Sequence, residues 1–242
     1  MVTPNKLAAT SEYDSYRELL ETARKNNVQF LFETNVAAGL PVISTLKDLV
    51  RSGDKVQRIE AVLSGTLNYL FNTYNGIEKF AEVIKDANAK GLTEPDPRLD
   101  LFGEDVRRKI LILARESGYQ MEMDDVMFDS FIPEECIEAK DIATFYESVE
   151  KNETHFSYLY AKAEKSGERL KVVATFENGK ASVGLQSVAT SHPFFNLDGK
   201  DNIVLFYTNR YKDQPLVIKG AGAGAAVTAS GIFADILKTV IS

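Results

Sequence analysis

A single cysteine, Cys136, has no partner for an internal disulfide, and a chain without one is expected in a reducing, cytosolic setting. Histidine is almost as scarce. His155 and His192 stand well apart, which argues against a zinc site of the usual His/Cys kind. Basic runs, and basic residues interleaved with aromatic ones, are missing as well, and the formal net charge is -7. Neither nucleic acid nor an acidic membrane attracts a net anionic chain, so neither is expected as a partner. The N-terminal stretch MVTPNKLAATSEYD has no apolar segment of the kind that marks a secretory signal. The longest weakly charged run, GAGAGAAVTASGIFA, is too short and too rich in glycine to cross a bilayer. No internal repeat or low-complexity linker divides the chain.

What is present is 44% hydrophobic residues, enough for the core of one large domain or two modest ones. Tyr16, Leu19, Leu20 and Ala23 recur at helical spacing, with Ser11 or Thr10 placed to cap the helix they define. VQFLFETNV reads as a strand ending near Glu33. A helix opened by Pro41 and closed near Gly53 follows, then an alternating strand, KVQRIEAVLS, and a helix starting at the glycine of GTLNYLFNTYNG. KFAEVIKDANAKGL and EDVRRKILILARESG are further helices, stopped by Gly91 and Gly118. The second half has more strand: a polar helix over roughly 140–151 precedes RLKVVATFENGKASVGLQSV, whose Asn178-Gly179 is the strongest hairpin signal present. NIVLFYTNRY and PLVIKG are two more strands, and TASGIFADILKTV is a final helix.

Between two of these helices lies the most charged stretch, GLTEPDPRLDLFGEDVRRK. Asp105 and Lys109 are four apart and project from one helix face. Such a pair is ordinarily a surface ion pair worth about 0.3–0.5 kcal/mol. The apolar ILILA that follows offers the alternative, a carboxylate and an ammonium in a largely dry wall, approached through a backbone stiffened by Pro95 and Pro97. Gly220, Gly222 and Ala225 match the dinucleotide pattern G-x-G-x-x-G/A between a strand and a helix, but no second strand with an acidic residue follows. A glycine-lined helix start still suits a polar ligand. ETNVAAGLP reads as a tight turn, or as a hard cation held by carbonyl oxygens and Glu33. SGTLN reads as an ordinary capped helix start, or as one whose free amides take a carboxylate.

Taken in order, VTPNK, ETNVAAGLPVI, LSGTLNYLFN, GLTEPDPRLDLFGEDVRRKILILA and GAGAGAAVTASGIFADIL resemble the homoserine dehydrogenase family, nearly end to end. The TEPDP block is the specific part of the match. TNV after the glutamate resembles the dehydrogenase part of bifunctional aspartokinase–homoserine dehydrogenases. The resemblance implies NADP- or NAD-dependent interconversion of L-homoserine and L-aspartate 4-semialdehyde, in threonine and methionine biosynthesis. It implies Lys109 as proton donor or acceptor for the reacting oxygen and Lys6 beside nicotinamide and substrate. It further implies Glu94 and Asp105 on the substrate ammonium with Asp100 nearby, Gly65 and Thr66 beside the substrate, and Gly222 and Gly224 at the cofactor. Glu33 with the carbonyls of Val36, Ala38 and Leu40 would be a monovalent-cation (Na+ or K+) site. Leu99 departs from the pattern, where the family often has a charged residue.

The expected fold is α+β: a catalytic and dimerisation domain over 36–218, built on a mixed β-sheet with helices on one face. Residues 1–35 and 219–242 are expected to pack together as the remnant of a Rossmann-like nucleotide-binding domain whose first half lies upstream. On that reading the isolated chain is inactive. The alternatives are a non-catalytic substrate-binding and dimerisation module, or another two-domain amino-acid oxidoreductase. VVATF and NIVLFY are too apolar to leave exposed, so a homodimer is expected.

Overall fold

Two residues in the left-handed region, Asn178 at φ 52° and Gly179 at φ 76°, close the Asn-Gly hairpin, because both central residues of so tight a turn need positive φ to match the strand twist. The hairpin joins two of six strands: β1 (Val56–Val62), β2 (Val126–Asp129), β3 (Arg169–Glu177), β4 (Lys180–Val188), β5 (Asn202–Thr208) and β6 (Leu216–Gly220). The computed structural model, which describes residues 1–241, places them in one sheet in the order β2-β4-β3-β1-β5-β6. Every pair of neighbours is antiparallel except β2 and β4. The sheet is therefore mixed and the fold α+β, as the order of elements predicts.

The two sheet faces are covered by different material. Side chains alternate along a strand, and Ile59, Ala61, Val172, Ala174, Phe176, Val204 and Phe206 enter the main core with the helices. The helices are α1 (Tyr13–Lys25), α2 (Val42–Arg51), α3 (Gly65–Thr73), α4 (Phe80–Ala89), α5 (Arg98–Leu101), α6 (Glu104–Glu116), α7 (Glu134–Ile137), α8 (Ile142–Lys151), α9 (Glu153–Lys165) and α10 (Ala225–Ile241). Of these, α3, α6 and α9 lie directly on the strands, and every residue of α6 from Ile110 to Arg115 is buried. On the opposite face Val62, Val173, Ile203 and Leu205 are sealed by Phe194 and Leu197 from the segment between β4 and β5. The apolar strands are thus covered within one chain, which removes the reason the sequence offers for a dimer.

Several local expectations change. VQFLFETNV forms only an isolated parallel bridge among the described residues, Val2 to Leu31, and Glu33–Asn35 then turn as a short 3-10 helix. Neither Ser11 nor Thr10 caps α1: their hydroxyls donate backwards to the carbonyls of Ala8 and Lys6. The free amide at Tyr13 is met instead by the Glu122 carboxylate, 2.8 Å away and 109 residues along the chain. The polar helix near 140–151 is followed at once by α9, whose Phe156 ring stacks on Phe80 with centroids 4.4 Å apart. The last helix, α10, leaves the sheet edge and packs on residues 33–39: a Cβ at Gly231 would meet Thr34 at 2.6 Å and one at Gly39 would meet Val227 at 2.7 Å. Its other side shows Phe233, Ile236, Leu237 and Val240 to solvent. Among the described residues no helix is long and apolar enough to cross a membrane.

Gly103 is where backbone geometry and packing both demand glycine. It caps α6 at φ 69°, and a Cβ there would sit 2.5 Å from the Phe128 ring. Gly103→Ala is expected to lose at least about 2 kcal/mol of stability, since a left-handed alanine costs about 1–2 kcal/mol before the clash is counted. Urea denaturation of the two proteins checks this.

Candidate active site

The charged stretch between α4 and α6 folds into a rigid wall. Asp96 takes Arg98 with both oxygens, at 2.6 to 3.1 Å, and Arg98 also donates to the Ala139 carbonyl at 2.9 Å. Proline stiffness is thus only part of the cause. Asp100, on α5, accepts the Glu94 amide at 2.8 Å and the Thr66 hydroxyl at 3.1 Å, tying the loop to the start of α3. Burial raises the Asp100 carboxyl above the usual carboxylate range despite these two bonds. Ser64 caps α3 by accepting the Leu67 amide at 3.1 Å, so Gly65 and Thr66 form its first turn.

Asp105 stands in the first turn of α6 and holds two lysines at once. Its Oδ1 is 2.9 Å from Lys6 Nζ and its Oδ2 is 2.7 Å from Lys109 Nζ. Burial alone would raise the Asp105 carboxyl, but the two ammonium groups outweigh it and hold it at about 2. Lys109 also donates 2.7 Å to the Leu63 carbonyl at the end of β1. An ammonium has three N–H donors, so one of the three on Lys109 remains for a substrate oxygen. The Lys109 side chain is only 12% exposed while Asp105 is 49% exposed, so the ammonium is sheltered and the carboxylate opens to the groove.

These groups line one groove. A cavity of about 680 Å³ takes in Lys6, Glu94, Asp105, Lys109, Gly222 and Gly224. A lobe of about 280 Å³ shares Glu94, Asp100, Asp105, Lys109 and Gly224 with it and adds Gly65, Thr66 and Lys200. Leu99, the departure from the family pattern, is also on the wall. Gly222 has no room for a side chain, as a Cβ there would fall 2.2 Å from Asn202. The Asn202 amide is buried with neither of its polar atoms hydrogen-bonded. The strand before these glycines, β6, is an antiparallel edge strand, so the G-x-G-x-x-A match sits in no βαβ unit.

The candidate cation residues lie differently. Both Glu33 oxygens accept amides at the start of α2, Ile43 at 2.7 Å and Ser44 at 2.9 Å, and Lys238 Nζ is 3.8 Å away. Ala37 and Ala38 follow at φ 58° and 50°. Ala38 reaches the groove, whereas Glu33 lines the largest cavity, about 850 Å³ between α1, α2 and α10. Among the described residues no group of three His, Cys, Asp or Glu side chains is arranged to hold a metal. Reading from sequence missed Lys200, which sits in a segment with no motif, and the Leu63 carbonyl, which no sequence pattern marks.

Comparison with known proteins identifies the family. The homoserine dehydrogenase family model matches residues 41–237. A bifunctional aspartokinase/homoserine dehydrogenase 2 of Arabidopsis thaliana is 45% identical over 98% of this chain, which corresponds to 26% of that protein. A homoserine dehydrogenase of Schizosaccharomyces pombe is 40% identical over 98% of the chain and 65% of its own length. A crystal structure of a Candida auris protein of unknown function superposes with a TM-score of 0.93, at 38% identity, over 99% of this chain and 69% of that one. A hyperthermophilic archaeal homoserine dehydrogenase solved with NADPH superposes at 0.70, with 27% identity, over 99% of this chain and 63% of its own. The chain belongs to the homoserine dehydrogenase family. It spans about a quarter of the length of the bifunctional relatives it matches.

The doubly paired Asp105 has a pH consequence. Its folded pKa lies below its unfolded value, so its contribution to stability is present above about pH 4 and is lost as pH falls towards 2. Melting temperature measured between those values should fall more steeply for the wild type than for Asp105→Asn.

Proposed function

We propose that this chain carries the substrate site and proton-transfer group of an NADP- or NAD-dependent enzyme that interconverts L-homoserine and L-aspartate 4-semialdehyde. The observation that carries this reading is the Lys6–Asp105–Lys109 cluster, with both salt bridges under 3 Å, on the wall of the groove that also holds Glu94 and the glycines of the α10 start. Asp105 is committed to two lysines. Glu94, exposed on the groove and paired with no cation among the described residues, is therefore the carboxylate that meets the substrate ammonium. Gly65 and Thr66 flank the same lobe.

A nicotinamide supplies or accepts the hydride when bound. The small residues Gly222, Ala223 and Gly224 line the groove with Lys6, and a Cβ at Gly224 would meet nothing within 4 Å, which leaves room for a flat ring, so Lys6, Gly222 and Gly224 are the residues that would hold it. In the reducing direction the third N–H of Lys109 donates its proton to the aldehyde oxygen as the alkoxide forms. In the oxidising direction the Lys109 nitrogen takes the proton from the homoserine hydroxyl as the hydride leaves. NADPH appears in the name of the archaeal relative's structure; the choice between NADP and NAD rests on residues outside this groove.

Three companion readings share this basis. Residues 1–35 and 219–241 pack together as a nucleotide-binding part beside a catalytic domain over 36–218, supported by the Val2–Leu31 bridge and the Glu33 amide on Asp235 at 2.9 Å. A Na+ or K+ ion is taken by the carbonyls of Val36, Ala38 and Leu40 with Glu33, whose oxygens keep lone pairs beyond the amides they accept. Two chains pair along the part of the sheet face opposite the helices that Phe194 and Leu197 leave partly exposed, where the Arg58 guanidinium stacks 4.0 Å over Tyr207. Light scattering at micromolar concentration tests the pairing.

In the full-length natural protein, Lys109→Ala should lower turnover by about two to four orders of magnitude with a much smaller change in KM. Glu94→Leu should do the reverse. Near-normal turnover in Lys109→Ala would move proton transfer to Lys6. The 242-residue chain mixed with homoserine and NADP should give no reduced cofactor; a measurable rate would show that its nucleotide site is sufficient.

A further inference from the structure

Lys171, on β3, is fully buried and has no carboxylate among its partners. A charge held that way is costly unless every N–H is met. Here all three are met, by Asn68 Oδ1 at 2.8 Å, Asn72 Oδ1 at 2.6 Å and the Leu197 carbonyl at 2.7 Å. The two asparagines stand on α3 and spend their own amide hydrogens on the same neighbouring segment. Asn68 donates to the carbonyls of Gly199 and Asp201, at 3.1 and 3.3 Å, and Asn72 to those of Leu197 and Gly199, at 3.0 and 3.2 Å. Segment 197–201 is therefore sewn to α3 through one buried ammonium.

That segment is a wall of the groove. The Lys200 carbonyl lies 2.8 Å from where a Cβ on Gly65 would be, so the segment touches the start of α3, and Lys200 lines the lobe that Gly65, Thr66, Glu94 and Lys109 share. An amino-acid substrate presents three points: a reacting oxygen for Lys109, an ammonium for Glu94, and a carboxylate. Lys6 and Lys109 are both drawn to Asp105, whereas no carboxylate among the described residues pairs with Lys200.

We propose that Lys200 receives the substrate carboxylate at the start of α3, and that Lys171 is the positioning residue that fixes segment 197–201 so that it can. This rests on the reading of the groove as an amino-alcohol site. It is specific to the third point of attachment and leaves the reacting oxygen and the ammonium untouched.

The test is kinetic, in the full-length natural protein with NADP. It compares KM and kcat for L-homoserine with the inhibition constant of 3-amino-1-propanol, which is homoserine without its carboxylate. Lys200→Met should raise the KM for homoserine about tenfold or more, the scale of one hydrogen bond to a charged group, with kcat little changed and 3-amino-1-propanol bound as before. Lys171→Met should give the same pattern, and the double variant should be no worse than Lys200→Met alone. Should Lys171→Met fail to fold, Asn72→Ala removes one of its acceptors and should shift KM in the same sense. An unchanged KM in Lys200→Met, additive losses in the double variant, or equal weakening of both ligands by the Lys171 or Asn72 change would each overturn the proposal. A wild-type protein that turns over no homoserine would instead overturn the functional reading, and this one with it.

Discussion

One carboxylate shared by two ammonium groups organises this molecule. Asp105 is reached from the N-terminal segment by Lys6 and from its own helix by Lys109, and Lys109 continues to the end of β1 through the Leu63 carbonyl. Three pieces distant in sequence meet at one anion. Half-exposed charges attract weakly in water, and the pairs gain strength here because the lysine side chains are only 24% and 12% exposed. The same partial burial leaves the cluster open on one side. A charged donor with an unspent N–H faces a groove instead of bulk solvent.

Behind this cluster, α6 works as the spine on which both parts of the chain are mounted. Its first turn carries the site, its middle is buried against the sheet, and its last turn holds the N-terminal segment. Arg115 donates to the carbonyls of Ala9 and Met121 and pairs with Glu122 at 3.0 Å, and its guanidinium faces the rings of Tyr13 and Tyr16. Glu116 accepts the Tyr16 hydroxyl and pairs with Lys47 of α2 at 3.1 Å. Burial, with the neighbouring Glu116 carboxylate adding to it, pushes the Tyr16 hydroxyl well above the ordinary tyrosine range, so it remains a donor throughout. Helix spacing alone sets the distance between the groove end and the holding end.

What was legible in the sequence was local. The Asn178-Gly179 turn, the helix stops at Gly91 and Gly118, the Pro41 start of α2 and the buried ILILA stretch follow from backbone preference and periodicity, and the structure has each of them. The charged block could be recognised, and its residues do converge on one groove. What could not be read was any partner supplied from far along the chain. Glu122 takes the capping place that Ser11 and Thr10 offer in the sequence, and VQFLF makes a single bridge to Val2 instead of a ladder. Lys171 gave no signal either. A lysine within an alternating strand looks solvent-facing until the segment that covers it is known.

The N-terminal segment is fastened to the body by polar contacts, Lys6 on Asp105, Tyr13 under Glu122, Arg115 on Ala9 and Tyr16 on Glu116, and by Ala9 and Tyr16 buried at the edge of the main core. Polar contacts of this kind release in a group when one end lets go. Detachment of residues 1–25 would therefore be a local event that leaves the sheet and its helices standing. It would also carry Lys6 away from Asp105 and open the groove along one side. On gentle warming the protein would go blind before it melts, since a far-ultraviolet spectrum would report an intact fold while the binding groove had already come apart.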